Sequence, residues 1–175
     1  SYTQLDHLTK ENVEKLVTAI ELHRSSKSHN EPLIGPVFLL TQEQDDHFKD
    51  IREFSTLLNS CGRMNHTSLG VGVCMGDKKI RKKALQILAD YRKEIIEGLK
   101  WFYTQRKNND HIIEKDHYVI INAGHIIRDT IIGTLASIIA KSNVYKEGTI
   151  IMSYAYTLGD DIKVSMRISG QEESS

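Results

Sequence analysis

Apolar residues along the chain keep two rhythms, one helical and one extended. From Thr9 to about His23, Val13, Leu16, Val17 and Ile20 fall at offsets 0, 3, 4 and 7, the spacing of one helical face. Thr9 suits the N-cap and Glu11 puts negative charge in the first turn, so this stripe reads as a core-facing helix. A polar loop follows over Arg24–Pro32, with Pro32 blocking helix continuation. Val37-Phe38-Leu39-Leu40 reads as a short strand. Asp50 to Asn59 reads as a helix with Ile51, Phe54, Ser55 and Leu58 on one side. Gly62 then ends it, because glycine adopts the left-handed conformation cheaply at a helix C-terminus, and Arg63 projects from the corner. Leu69–Gly76 alternates large residues with glycine, which predicts an extended segment where another backbone comes close.

The longest pattern runs from Lys78 to about Arg106. Ile80, Ala84, Leu88, Tyr91, Ile95, Leu99 and Phe102 recur at intervals of four and three, close to a heptad, and Asp77 can cap this helix. After a break at Asn108-Asn109-Asp110, the stretch Ile112–Asn122 holds a buried strand, Tyr118-Val119-Ile120-Ile121. Ala123-Gly124 turns the chain. Ile126–Ser142 is apolar nearly all round, and its length favours helix; Gly133, Ala136 and Ser137 make a small-residue side for close packing. Thr149–Tyr156 and Asp161–Ile168 read as two strands joined by a turn at Leu158-Gly159-Asp160-Asp161, before a polar tail, Gln171–Ser175. The succession predicts a mixed α/β (α+β) fold: a small mixed sheet with packed helices and one long connecting helix. It suggests a first lobe over 1–107 and a second over 108–175.

Composition changes this picture little. The 175 residues are 39% hydrophobic and 26% charged, with zero formal net charge, so the total argues neither for nor against a polyanionic partner. The distribution is more telling. Between Lys78 and Lys107 ten Lys/Arg face three Asp/Glu, and five of the ten are Lys78, Lys79, Arg81, Lys82 and Lys83. Such a run is either a solvated helix face or a basic stripe along a phosphate backbone. Cys61 and Cys74 have no metal-ligand spacing and read as buried free thiols of a reducing cytosol. No apolar run approaches the ~18–20 residues that span a bilayer, and no signal-peptide pattern opens the chain, which predicts a soluble cytoplasmic protein. Asp45-Asp46-His47 looks like a metal site, but adjacent residues diverge on a helix, so it reads as solvent face. Gly76-Asp77-Lys78 fits neither a Walker loop nor a dinucleotide fingerprint.

The string Asn59-Ser60-Cys61-Gly62-Arg63 adds a family resemblance. It resembles the asparagine–small–small–glycine–arginine motif of the RecJ group of DHH phosphoesterases, and more closely its archaeal branch. Four stretches keep that family's order: REFSTLLNSCGRM (Arg52–Met64), ALQILADYR (Ala84–Arg92), IIRDTIIGTLASII (Ile126–Ile139) and IKVSMRISG (Ile162–Gly170). The succession is similar to the C-terminal half of archaeal RecJ-like proteins, also called GINS-associated nucleases. The first and last stretches are specific, while the two helical ones support them by order and spacing.

The resemblance implies a role. RecJ-like proteins are manganese- or magnesium-dependent phosphodiesterases that degrade single strands from the 5′ end. Their N-terminal DHH domain holds the metals, and their C-terminal domain grips nucleic acid. Carried over by position, Arg63, Ser165 and Arg167 would contact phosphate and Asn59 would brace the turn. The residues by themselves allow a plainer reading, a helix end with a surface arginine and an ordinary pair on a strand. The chain has no DHH motif and no spaced aspartates for two metals, so no catalytic residue is assigned to it and manganese or magnesium is expected in an absent DHH domain. It stops soon after Arg167, where the family continues into a glycine-rich, histidine-containing motif; a fragment holding the bridging region and the start of the DHH-associated domain is the expectation. The implied function is the gripping portion of a 5′→3′ single-strand exonuclease. The alternative is a non-catalytic module of the archaeal replication machinery that binds GINS.

Overall fold

The computed structural model describes residues 8–24, 35–43, 45–108, 111–159 and 161–170. The loop read over Arg24–Pro32 falls almost wholly outside them, as does the tail Gln171–Ser175. The fold is mixed α/β, with six helices and one four-stranded mixed sheet among the described residues. By compactness the chain divides into Ser1–Ile51 and Arg52–Ser175, which puts the long helix and the sheet in the same unit. No described helix is long and apolar enough to cross a membrane.

In the first unit, α1 spans Lys10–Arg24, and the Thr9 hydroxyl accepts from the Asn12 N–H at 3.3 Å, as an N-cap does. The apolar stripe does not form the expected core: Leu16 and Ile20 stay 41% and 36% exposed. Periodicity specifies a face, not what covers it. Nor does Val37–Leu40 form a strand. Its pairing is a single antiparallel bridge between Leu39 and Asp50, with Leu40 N–H donating to Lys49 C=O at 2.8 Å and Ile51 N–H to Phe38 C=O at 3.0 Å. Asp50 is the one-residue link between α2 (Asp46–Lys49) and α3 (Ile51–Arg63), too short to extend a ladder. The acidic run serves the backbone, since Asp45 caps α2 by accepting from the His47 N–H at 3.0 Å.

Two glycine assignments change. Gly62 lies inside α3, and the left-handed residue is Asn65, at φ 61°. His66 N–H donates to Cys61 C=O at 2.7 Å and Asn65 N–H to Gly62 C=O at 3.2 Å, the paired bonds of a Schellman cap with asparagine in glycine's usual place. Leu69–Gly76 is not extended; Thr67–Cys74 is helix α4. It ends in a second Schellman cap, with Gly76 at φ 80° and Asp77 N–H donating to Gly72 C=O at 3.2 Å. The close approach expected of its glycines is real but belongs to helix packing: a Cβ on Gly72 would collide with the Ile80 side chain. Cys74, at the end of α4, is exposed, whereas Cys61 is buried and its burial pushes the thiol pKa up.

The long helix α5 spans Lys78–Asn108, 31 residues or about 46 Å. Asp77 caps it, accepting from the Lys79 and Ile80 N–H groups at 2.8 and 3.0 Å. Ala84, Leu88, Tyr91 and Phe102 of the heptad-like series are buried. The stretch Ile112–Asn122 holds more than one strand: β1 (Ile112–Glu114) folds back antiparallel on β2 (Tyr118–Gly124). The chain then passes through α6 (Asp129–Lys141) to β3 (Ile150–Tyr156), which lies parallel to β2, and returns as β4 (Ile162–Ile168), antiparallel to β3. The sheet order is β1-β2-β3-β4.

The core lies between the sheet and α6. Val119, Ile121 and Ala123 of β2 and Ile151 and Ala155 of β3 are buried, as are Ile132, Leu135, Ala136 and Ile139 of α6. Strand β4 reverses this logic. Ile162, Val164, Met166 and Ile168 point away from α6 and stay 55%, 53%, 58% and 41% exposed, while Lys163, Ser165 and Arg167 pair across from the inward row of β3. At the far end of α5, Arg106 and Tyr145 both hydrogen-bond the Glu114 carboxylate, each at 2.5 Å. Burial raises the Glu114 pKa, but these two hydrogen bonds outweigh it and hold the group below the usual carboxylate range.

Candidate functional site

Three of the four residues singled out by the resemblance, Arg63, Ser165 and Arg167, meet on one side of α6. Thr130, Gly133 and Ser137 stand at offsets 0, 3 and 7, so they share a face, and each is half-buried. Arg63, the last residue of α3, reaches the first of them: its Nη1 donates to the Thr130 carbonyl at 2.9 Å. The Thr130 hydroxyl returns a bond to the Arg63 carbonyl at 2.5 Å. This reciprocal pair fixes the end of α3 to the first turn of α6 and immobilises the arginine.

Strand β4 supplies the other members. Its alternation sends Ser165 and Arg167 to the same side, over the α6 stripe. Arg167 Nε donates to Ser137 Oγ at 2.8 Å and Nη1 to the Met166 carbonyl at 2.7 Å. Ser165 lies above Gly133, where a Cβ built on the glycine would stand 3.4 Å from Ser165 Oγ. Seven residues of helix separate the Thr130 and Ser137 anchors, roughly 10 Å along the axis. Between them Gly133 contributes no side chain, and the Ser165 hydroxyl lies over the gap. The two arginines are therefore anchored at opposite ends of this stripe, with the Ser165 hydroxyl packed on Gly133 between them.

Of the small-residue side read from the sequence, two of the three members hold. Gly133 and Ser137 do receive β4, whereas Ala136 points into the core and is fully buried. Asn59 is exposed on α3, and the left-handed residue of the turn is Asn65. Lys78, Lys79, Lys82 and Lys83 are exposed and Arg81 is half-buried, all in the first two turns of α5. That placement is electrostatically unfavourable, since the amino end of a helix carries partial positive charge. Thr130 and Asn65 were not singled out by sequence, and Ser137 was read only as a small packing residue; Thr130 and Ser137 act through contacts set by tertiary packing. Among the described residues no group of three or more His, Cys, Asp and Glu is placed to hold a metal ion.

No known protein-family model matches the chain. An uncharacterized protein of Methanocaldococcus jannaschii is similar to it, 32% identical over 111 residues. That match covers 63% of this chain and 23% of the relative, so the chain spans less than a quarter of the curated protein it matches.

Proposed function

We propose that this chain is the nucleic-acid-gripping portion of a RecJ-like single-strand 5′→3′ exonuclease, holding backbone phosphate while a DHH domain outside these residues supplies metal and chemistry. The observation that supports it most is the pair of arginines anchored on α6 on either side of Gly133. Arginine presents a planar fork of donors matched to phosphate oxygens, and each fork is fixed in place by a bond to α6. A spacing of roughly 10 Å between the anchors lets one phosphate group take a donor from each arginine at the edge of the stripe, beside the Ser165 hydroxyl. Cations gathered at the amino end of α5 add support, because an anionic partner offsets their mutual repulsion and their conflict with the helix dipole.

Fluorescence anisotropy with a labelled single-stranded oligonucleotide tests the reading. Arg63→Ala and Arg167→Ala should each weaken binding regardless of base sequence, since phosphate contacts carry no base information. Each should lower the log–log salt slope by about 0.7, the value for one contact on a single strand. The double variant should lose less than the sum, because both arginines serve one phosphate. Lys82→Ala should do less than either. Arg63→Lys and Arg167→Lys keep the charge but lose the fork, and they separate phosphate geometry from simple charge. Unchanged slope and affinity in folded variants would show that both arginines are purely structural.

A further inference from the structure

A cavity of about 590 Å³ opens at the carboxyl ends of the parallel strands β2 and β3, beside the amino end of α6. This is where α/β folds place ligands, and the volume lies within the range of small-molecule sites. Local structure shapes it. A bulge at Asn122/Gly124 interrupts the β2–β3 register, Gly124 takes φ 52°, and its N–H donates to Asn122 Oδ1 at 3.1 Å. The chain leaves the sheet there and carries His125 to the cavity wall. The His125 ring lies 4.9 Å from that of Tyr156, the last residue of β3, tilted by 33°. Trp101 of α5 completes an aromatic lining.

The charges in this wall select the ligand. Glu94 is taken up by Arg128, which donates to it from Nε at 3.3 Å and from Nη2 at 3.1 Å. Glu97 and Asp129 also line the cavity. Glu97 is only 3.9 Å from Lys93, with both side chains mostly exposed, so its carboxylate oxygens stay open to a donor. With three carboxylates and one arginine in the wall, a phosphate entering the cavity would be repelled. Flat rings to stack on and acceptor oxygens at the edge suit an uncharged aromatic ring that carries an amino group.

We propose that this cavity holds a nucleobase bearing an exocyclic amine, stacked among His125, Tyr156 and Trp101 with its amine donated to Glu97 or Asp129. Stacking on aromatic side chains is the common way in which proteins hold unpaired bases, and a carboxylate accepts from a base amine as in groove recognition. The identity of the ligand rests on the nucleic-acid reading above. The two places are contiguous: Asn65 and Asp129 line the cavity, and Arg63 and Thr130, the first anchor of the phosphate seat, lie within two residues of them. One strand can therefore set its backbone on the α6 stripe and turn a base into the cavity.

Free nucleosides test the cavity apart from the phosphate seat. Trp101 is the chain's one tryptophan, so its fluorescence reports the wall directly. Adenosine should quench it saturably and shift its indole N–H resonance. Inosine, which has an oxygen in place of the amine, should bind several-fold more weakly. Tyr156→Ala and His125→Ala should each weaken adenosine binding by about fivefold or more, from the lost stacking, and Glu97→Ala should narrow the adenosine–inosine difference. Arg63→Ala and Arg167→Ala should leave nucleoside binding unchanged while they weaken oligonucleotide binding. Absence of both quenching and resonance shift would overturn the proposal, as would equal affinity for inosine or full binding by folded Tyr156→Ala and His125→Ala chains. Loss of oligonucleotide binding in the arginine variants, with adenosine not bound, would refute the cavity and leave the phosphate seat standing.

Discussion

Gly62→Ala should make the protein more stable. Glycine in a helix interior is about 1 kcal/mol less favourable than alanine, through the backbone freedom it loses on folding. Gly62 is inside α3, it is not among the positive-φ residues, and a Cβ built on it meets nothing within 4 Å. Neither strain nor collision then opposes the gain. Its place in the last turn, where helices fray, reduces the benefit to about 0.5–1 kcal/mol, or roughly 1–4 °C in melting temperature for a chain of this size. Thermal and urea melts followed by Trp101 fluorescence read the unit that contains it. Gly76→Ala is the opposite control. It too meets no neighbour, but at φ 80° it should cost about 1–2 kcal/mol. A Gly62→Ala chain less stable than the parent by more than 0.5 kcal/mol, a threshold of about half the expected gain, would refute the helical assignment of Gly62.

Gly72→Ala should destabilise by about 1–3 kcal/mol, the usual cost of overpacking, and Ile80→Val in the same chain should recover part of it; melts of the two variants measure both. Glu114→Gln should lower stability at neutral pH by roughly 1 kcal/mol, discounted for partial exposure. Because the folded Glu114 pKa is depressed, its stabilisation is present above the unfolded carboxyl pKa and is lost as pH falls through the folded value. The Gln variant should therefore show a flatter acid limb in stability measured from pH 7 to pH 3, and an unchanged limb would refute the role of the Arg106–Glu114–Tyr145 cluster. The arginine and nucleoside experiments above complete the set.

Where the sequence was legible, one physical term dominated. β2, β3 and α6 are apolar on the faces they bury, and their periods give them away. Asp77 as the cap of α5 followed from local chemistry alone. The errors came where two terms compete. Gly62 carries the signature of a cap, but the run Ser60–Arg63 has enough helical context to continue, and Asn65 tolerates the left-handed region almost as well. Leu69–Val73 alternates like a strand, yet its glycines serve a helix–helix contact that only tertiary packing reveals. Arg63, Ser165 and Arg167 stood out in the sequence, but their contacts with α6 did not: Thr130, which holds Arg63, looked like an ordinary helix residue, and Ser137, which holds Arg167, read only as a small packing residue.

The inverted alternation of β4 means that its alignment is chosen against hydrophobicity. Slipping the strand by one position would turn Ile162, Val164, Met166 and Ile168 onto α6 and send Lys163, Ser165 and Arg167 to water, a change worth several kcal/mol in apolar burial. The observed pairing holds because both ends of the strand are fastened. Thr157 N–H donates to Asp161 C=O at 2.8 Å and closes the hairpin. At the other end Ser169, nearly inaccessible to solvent, has its hydroxyl 3.2 Å from both the Ala140 and Tyr145 carbonyls. Ser169 thus acts as the pawl of a ratchet: it gives the chain's greasiest alignment no chance to form, and it keeps serine and arginine pressed against a helix that a hydrophobic row would otherwise have claimed.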